Sequence, residues 1–266
     1  MRERVFPSDP GAMIQRLQRG LVKKIVFFDE VSSTNAEAKY LAQNGAMEGT
    51  VVLAKTQLHG RGRYDRHWES PKGGLYLSVI LRPRIPLETT TVLPLLVSLA
   101  VAKTIQTLGI QPTIKWPNDV RIKQKKVSGI LLESEAGPTS PSYVVLGVGV
   151  NLNVDVTTLP GDLSLSATSL SKELKKPVDY EQFFGIFFLF FEEYYARFLH
   201  GESEMLLREW SLWSDTLGKQ VEIQTTKETI RGKAISIDSS GFLQIVTDHD
   251  VHRTITSGDC RYVEEL

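Results

Sequence analysis

The spacing of apolar and polar residues changes several times along the chain, and each change marks an element. Residues 12–19 carry apolar side chains at helical spacing and predict a short amphipathic helix. Residues 25–30 (IVFFDE) are a compact apolar run with the length of a buried strand. The next segment has helix punctuation at both ends: Ser33 or Thr34 as N-cap, Glu37 in capping-box position to Thr34, and Gly45 as the stop. Residues 50–57 (TVVLAKTQ) and 75–81 (LYLSVIL) predict strands. The stretch between them has no period and reads as a loop. Residues 92–108 predict a long, largely buried helix ended by Gly109.

In the second half, 113–116 predicts a short strand broken by Pro117-Asn118-Asp119. A hairpin turning near Gln124 and Lys125 follows, and then a strand through YVVLGVGVNL. Helices are expected at 180–198 and 204–213. From about Gly218 the period is that of strands alone: 219–225, 228–238, 241–246, 252–256 and 261–265, with Gly241 and Gly258 at turns. Blocks of strands and helices joined by hairpins predict an α+β domain over 1–215, with a mixed or antiparallel sheet and packed helices. The tail, 216–266, predicts a small five-strand barrel. Exposed strand edges in the main sheet make a side-by-side homodimer an expectation.

Composition narrows the class without naming a function. A chain of 266 residues that is 41% hydrophobic and 23% charged is globular, and long enough to bury most of its apolar surface. The longest apolar run, 183–191 (FFGIFFLFF), is short of the roughly 18 residues a membrane span needs, and Glu192 and Glu193 follow at once. It predicts a core helix, and no membrane partner is expected. The N-terminus has charges but no apolar stretch behind them, unlike a secretory signal. One cysteine, Cys260, permits no internal disulfide and fits a reducing, cytoplasmic setting.

Lys and Arg total 31 and Asp and Glu total 31, so no general affinity for nucleic acid is expected. That neutrality hides two basic concentrations. Residues 61–84 carry six Lys or Arg against two acids, and 115–126 carry five against Asp119.

In the first, Gly60 and Gly62 would let backbone N–H groups approach an anion, and Arg61, Arg63 and Arg66 add forked donors. Trp68 offers a flat face. The same composition also describes a basic surface loop. Ser33, Thr34 and Asn35 would either ring a small polar ligand group or simply cap a helix. Lys115 with Pro117 and Asn118 reads as a turn with a solvated lysine or as part of a site. Lys126 stands beside the strand glycine Gly129, and GVGVN before Asn151 is consistent with backbone packed against a flat ligand or with tight sheet packing.

Their order is more specific than any one of them. STN, Gln57, GRGRxxRxW, KWPND, KxSGIL and GVGVN in succession resemble the catalytic core of biotin protein ligases, from about Ile25 to Trp213. The resemblance implies a class II synthetase-like core and an SH3-like C-terminal β domain. It implies an ATP-dependent ligase that activates biotin as biotinyl-5'-AMP and transfers it to a lysine of a biotin carboxyl carrier protein. Mg²⁺ is expected with ATP, bound largely through phosphate oxygens, and no residue is assigned to it.

By the same match, the biotin site comprises Ser33, Thr34, Asn35, Gln57, Gly60, Arg61, Gly62, Arg63, Lys126 and Gly129. The nucleotide and adenylate side comprises Arg63, Arg66, Trp68, Lys115, Asn118, Lys126 and Asn151. Arg61, Arg63 and Lys126 offset converging anions, and Asp119 either orients Lys126 or accepts a proton from the incoming lysine.

Asp65 stands where many relatives have glycine. It is expected at positive φ, where it either pairs with Arg63 or Arg66, so that its removal tightens ATP binding, or points to water and has no effect. His59, also a departure, and His67 receive no role. A winged helix-turn-helix ahead of the core needs roughly 60 residues, and the STN motif begins at Ser33. The expectation is therefore the monofunctional class, without specific DNA binding. A lipoate or octanoate ligase shares the chemistry but not GRGRxxRxW and KWPND. A nucleic-acid-binding protein is the reading from a different class, and zero net charge weighs against it.

Overall fold

The computed structural model describes residues 20–263, so the helix predicted at 12–19 lies outside the described residues. Seven strands form the main sheet: β1 (Lys24–Val31), β2 (Thr50–Gln57), β3 (Leu75–Leu81), β4 (Thr113–Lys115), β5 (Asp119–Ile122), β6 (Lys125–Ala136) and β7 (Pro141–Val150). They lie in the order β1-β2-β3-β7-β6-β5-β4. β1 and β2 are parallel, and every other neighbour is antiparallel. The parallel pair needs a crossover. Helix α1 (Thr34–Gln43) supplies it.

Strand alternation gives the sheet two apolar faces. Val51, Leu53, Leu77, Val79 and Leu81 point to the larger core, where α2 (Leu93–Thr107) packs against the sheet. On the other face Val52, Ile80 and Val145 meet Ala38 and Ala42 of α1. Two short helices, α3 (Leu163–Ser166) and α4 (Leu170–Leu174), precede α5 (Tyr180–Leu199) and α6 (Ser203–Trp213). The aromatic run of α5 is buried in the larger core, with Phe187 stacked on Phe191 at 5.8 Å. The stretch whose length and hydropathy match a membrane span is Leu87–Thr107 rather than that run, and most of it is buried in this core.

The second sheet has five antiparallel strands, β8 (Gln220–Gln224), β9 (Thr229–Ile237), β10 (Leu243–Val246), β11 (His252–Ile255) and β12 (Asp259–Tyr262), in the order β11-β10-β9-β8-β12. Trp116 ties it to the main sheet: its Nε1 donates to Gly241 O at 3.0 Å and its backbone N–H to Thr216 Oγ1 at 3.0 Å.

Some local readings are corrected. The cap of α1 is Ser33, whose Oγ accepts from Ala36 N, so Glu37 falls one position beyond a capping box. The β5–β6 turn uses Lys123 and Gln124, both at positive φ. Strand β12 begins at Asp259, not residue 261, because its partners Val221 to Gln224 in β8 set the register. The β4 edge is covered, since Ile114 bridges Ser214 and its carbonyl accepts from Asp215 N.

Candidate active site

A cavity of about 410 Å³ opens between the loop after β2, the β5–β7 face and strand β12. Its floor depends on two glycines of β7 that share one face. A Cβ on Gly147 would stand 2.0 Å from Asn35 Oδ1, and one on Gly149 would stand 2.6 Å from the Trp68 indole. Gly149 pairs with Gly129 across the β6–β7 ladder, and a Cβ there would also meet Trp68 at 2.9 Å. The protein's own Trp68 indole thus lies on Gly129 and Gly149, while Gly147, Val148 and Gly149 also line the cavity.

One end of the cavity is a buried polar pocket at the N-terminus of α1. Ser33, Thr34 and Asn35 are each under 5% exposed. Gln57 Oε1 accepts from Thr34 N at 2.8 Å and lies 3.1 Å from Thr34 Oγ1. Ser78 Oγ lies 2.8 Å from Thr34 Oγ1 and 2.6 Å from Asn35 Oδ1. Gln57 Nε2 donates to Ser70 Oγ, which in turn donates to Trp68 O. Leu77, Ile130, Leu131 and Val148 supply aliphatic wall.

The other end is cationic. Arg61, Arg63, Arg66, Lys115, Lys126 and Arg261 line the cavity against three carboxylates, Glu69, Asp119 and Asp259. This excess sits in a chain of zero formal charge. It makes the cavity a place for anions. Lys126 Nζ is 2.5 Å from Asp119 Oδ1 and 5.2 Å from the Trp68 ring centre. Lys115 Nζ lies 5.1 Å from the Tyr262 ring. Asn118 and Asn151 line the wall, each with its amide tied to backbone: Asn118 Nδ2 to Ile130 O, Asn151 Nδ2 to Thr168 O.

The loop itself is braced from three sides. Arg61 donates to Glu133 at 3.0 Å, and Arg63 donates to Gly258 O at 3.3 Å. Arg66 makes a two-pronged pair with Asp259. That hydrogen bond and charge outweigh burial and hold the Asp259 carboxyl below the usual range. Tyr64 and Asp65 both sit at φ 55. The positive φ expected at Asp65 is present. Its expected pairing is not, because Arg63 and Arg66 reach across to the second sheet instead.

The structure thus gathers Ser33, Thr34, Asn35, Gln57, Arg61, Gly62, Arg63, Arg66, Trp68, Lys115, Asn118, Asp119, Lys126, Gly129 and Asn151 around one cavity. Gly60 is the exception. Its carbonyl accepts from Trp68 N, and a Cβ would strike Trp68 O at 2.2 Å, so its close approach serves the loop's own fold.

Sequence reasoning missed Ser70, Ser78, Glu133, Asp259 and Arg261. Ser78 left a trace, a lone hydroxyl in the apolar strand LYLSVIL. Asp259 and Arg261 left none, since nothing local ties β12 to a loop nearly 200 residues earlier.

Comparison with known proteins identifies the family and the fold. Residues 27–151 match the Biotin/lipoate A/B protein ligase family and residues 216–261 match the Biotin protein ligase C terminal domain. The bifunctional ligase/repressor BirA of Bacillus subtilis is 38% identical over 232 residues, 86% of this chain and 71% of the relative. The biotin–[acetyl-CoA-carboxylase] ligase of Paracoccus denitrificans is 33% identical over 218 residues, 79% of this chain and 89% of that one. A solved biotin protein ligase from Aquifex aeolicus, in complex with biotin and ATP, superposes with a TM-score of 0.77 at 28% identity, covering 91% of this chain and all of its own.

Proposed function

This chain belongs to the biotin protein ligase family, and from that premise we propose how its cavity divides the work. The reaction is the ATP-dependent activation of biotin as biotinyl-5'-AMP and its transfer to a lysine of the biotin carboxyl carrier protein. In the first step a carboxylate oxygen of biotin bonds to the α-phosphorus, and the bond to pyrophosphate breaks. In the second, the acceptor amine bonds to the acyl carbon and AMP leaves.

The polar pocket of Thr34, Gln57 and Ser78 takes the ureido head, whose two N–H donors and one carbonyl need hydroxyl and amide partners. The aliphatic wall takes the bicycle and valeryl chain. The carboxylate then points to the cationic end, where ATP also lies. Two anions must approach there, so cations fixed in advance supply most of the catalysis. Lys126 sits at the carboxylate and α-phosphate junction. Arg61, Arg63 and Arg66 hold carboxylate and phosphate oxygens, with Lys115 towards the leaving phosphates. Trp68 packs beside the adenylate. Asp119 keeps Lys126 in place.

Among the described residues no three His, Cys, Asp or Glu side chains cluster as metal ligands. Mg²⁺ arriving with ATP would be held largely through triphosphate oxygens and would neutralise the leaving pyrophosphate.

The observation that carries this reading is the pairing of a buried neutral hydrogen-bonding pocket with a cationic one in a single cavity. Pyrophosphate release in the presence of biotin, lipoate or neither tests it. Release that requires biotin supports it; release that requires lipoate moves the chain to the other branch of the chemistry.

A further inference from the structure

Two amides in the polar pocket have their orientation fixed by neighbours of one polarity. Glu133 lies 2.9 Å from Asn35, and a carboxylate only accepts, so the Asn35 atom facing it is Nδ2. Asn35 Oδ1 is then turned inward, to Ser78. A backbone N–H only donates, so the Gln57 atom facing Thr34 N is Oε1. Two hydroxyls, Ser78 and Thr34, are left between two fixed acceptors.

Three contacts, of 2.6, 2.8 and 3.1 Å, join these four oxygens, and only two hydroxyl protons are available to fill them. Ser78 donates to Asn35 and Thr34 donates to Gln57, so the 2.8 Å contact between the two hydroxyls holds no proton. Lone pairs on Ser78 Oγ and Thr34 Oγ1 remain for an incoming N–H. The pocket is one donor short.

We propose that Glu133, outside the cavity wall, is the positioning residue that sets this polarity and so makes the pocket select a head group bearing N–H donors. The inference rests on the biotin reading and extends it to a residue that touches no substrate. Glu133 is suited to the task because it stays ionised. Burial pushes its carboxyl up, but hydrogen bonds from Asn35 and Lys39, with the charges of Arg61 and Lys39, outweigh that and hold it below the usual range. If it were an amide, it could donate to Asn35 Oδ1 as readily as accept from Nδ2. Asn35 could then turn over, and the donor deficit would vanish.

The test is steady-state adenylation by the full chain, with competition by the two biotins methylated at either ureido nitrogen. Glu133→Gln should raise the KM for biotin about tenfold, the scale of one hydrogen bond to a correctly oriented group. Because Glu133 also braces Arg61, the deciding readout is the difference between biotin and its methylated forms rather than kcat or the KM for ATP. The methylated biotin that lacks the critical N–H should compete equally against both proteins. Lys39→Met removes a neighbouring ion pair but leaves Asn35 on Glu133, and should leave the KM for biotin unchanged.

An unchanged biotin KM in Glu133→Gln would overturn the proposal. So would equal weakening of biotin and both methylated forms, which marks general damage, or an equal rise in Lys39→Met, which marks helix tethering. A wild-type chain that releases no pyrophosphate with biotin would bring down the biotin reading, and this inference with it.

Discussion

Lys126 and Asp119 face each other across the β5–β6 hairpin with 2.5 Å between Nζ and Oδ1. The ammonium is held at the cationic end of the cavity, so its position is set before any anion arrives. Removing a cation that offsets two converging anions costs about 10²–10³ in rate. Lys126→Ala should lose that much adenylate formation while its thermal unfolding stays cooperative. A rate close to wild type would remove Lys126 from the mechanism.

Asp119 is spent on Lys126, which favours orientation over proton acceptance. Asp119→Asn should slow adenylation about tenfold, as expected when one charged hydrogen-bond partner becomes neutral. Transfer from supplied biotinyl-adenylate to the carrier protein should change little. Equal loss in both half-reactions would instead give Asp119 the proton from the acceptor amine.

The Arg66–Asp259 pair joins the arginine loop to the second sheet. Asp259→Asn should lower Tm and speed tryptic cleavage between residues 61 and 66. The Asp259 carboxyl is depressed in the folded chain, chiefly by the Arg66 hydrogen bond, so its stabilisation is complete above the ordinary Asp value near 4 and fades as pH falls through the folded value. The Tm difference between the two proteins should be constant from about pH 8 to about pH 5 and narrow below about pH 4. A difference that grows on acidification would contradict the pairing.

Cys260 lines the cavity, yet burial pushes its thiol up to about 12. At about pH 8 the thiolate fraction is far below that of an ordinary exposed thiol. Iodoacetamide should therefore label the folded chain far more slowly than the denatured one, and without burst kinetics. Rapid labelling of the folded protein would show that the thiol is reached and ionised.

Asp65 is exposed, unpaired with either arginine and outside the main cavity wall. Of the two sequence-based expectations, an exposed and unpaired Asp65 agrees with the one in which it points to water and has no effect on ATP. Asp65→Gly should leave the KM for ATP within about twofold at low and high salt, as exposed charges typically do. The positive φ predicts a small gain in stability from glycine there. Tighter ATP binding, strongest at low salt, would restore the charge effect.

What could be read from the residues alone divides along a physical line. Periodicity marks elements whose partners are near in sequence, and β2, β3, α2 and the five C-terminal strands followed from it. Motif order gathered the wall residues, because the resemblance holds their spacing. Long-range pairings were invisible. Glu133 looks like one more acid on a strand until the fold brings Asn35, Lys39 and Arg61 to it. Arg66 looks free to meet Asp65 until β12 arrives beside it. The GVGV segment stayed ambiguous for a related reason: small residues announce that something lies against the backbone, and here both the Trp68 indole and the cavity do.

Those glycines have a genetic consequence. Every missense change in either codon adds at least a β-carbon, which at position 147 displaces Asn35 and at 149 displaces Trp68. Neither codon has a mild neighbour. Alanine, elsewhere a gentle substitution, should be as harmful here as a bulky residue. Leu146 and Val150 alternate with the two glycines and face the larger core, where exchange among aliphatic side chains should be tolerated. A saturation library across this strand should therefore show a two-position comb of lethality, set by strand parity rather than by side-chain chemistry. The allelic record of the segment would then be readable as a map of which face carries the site.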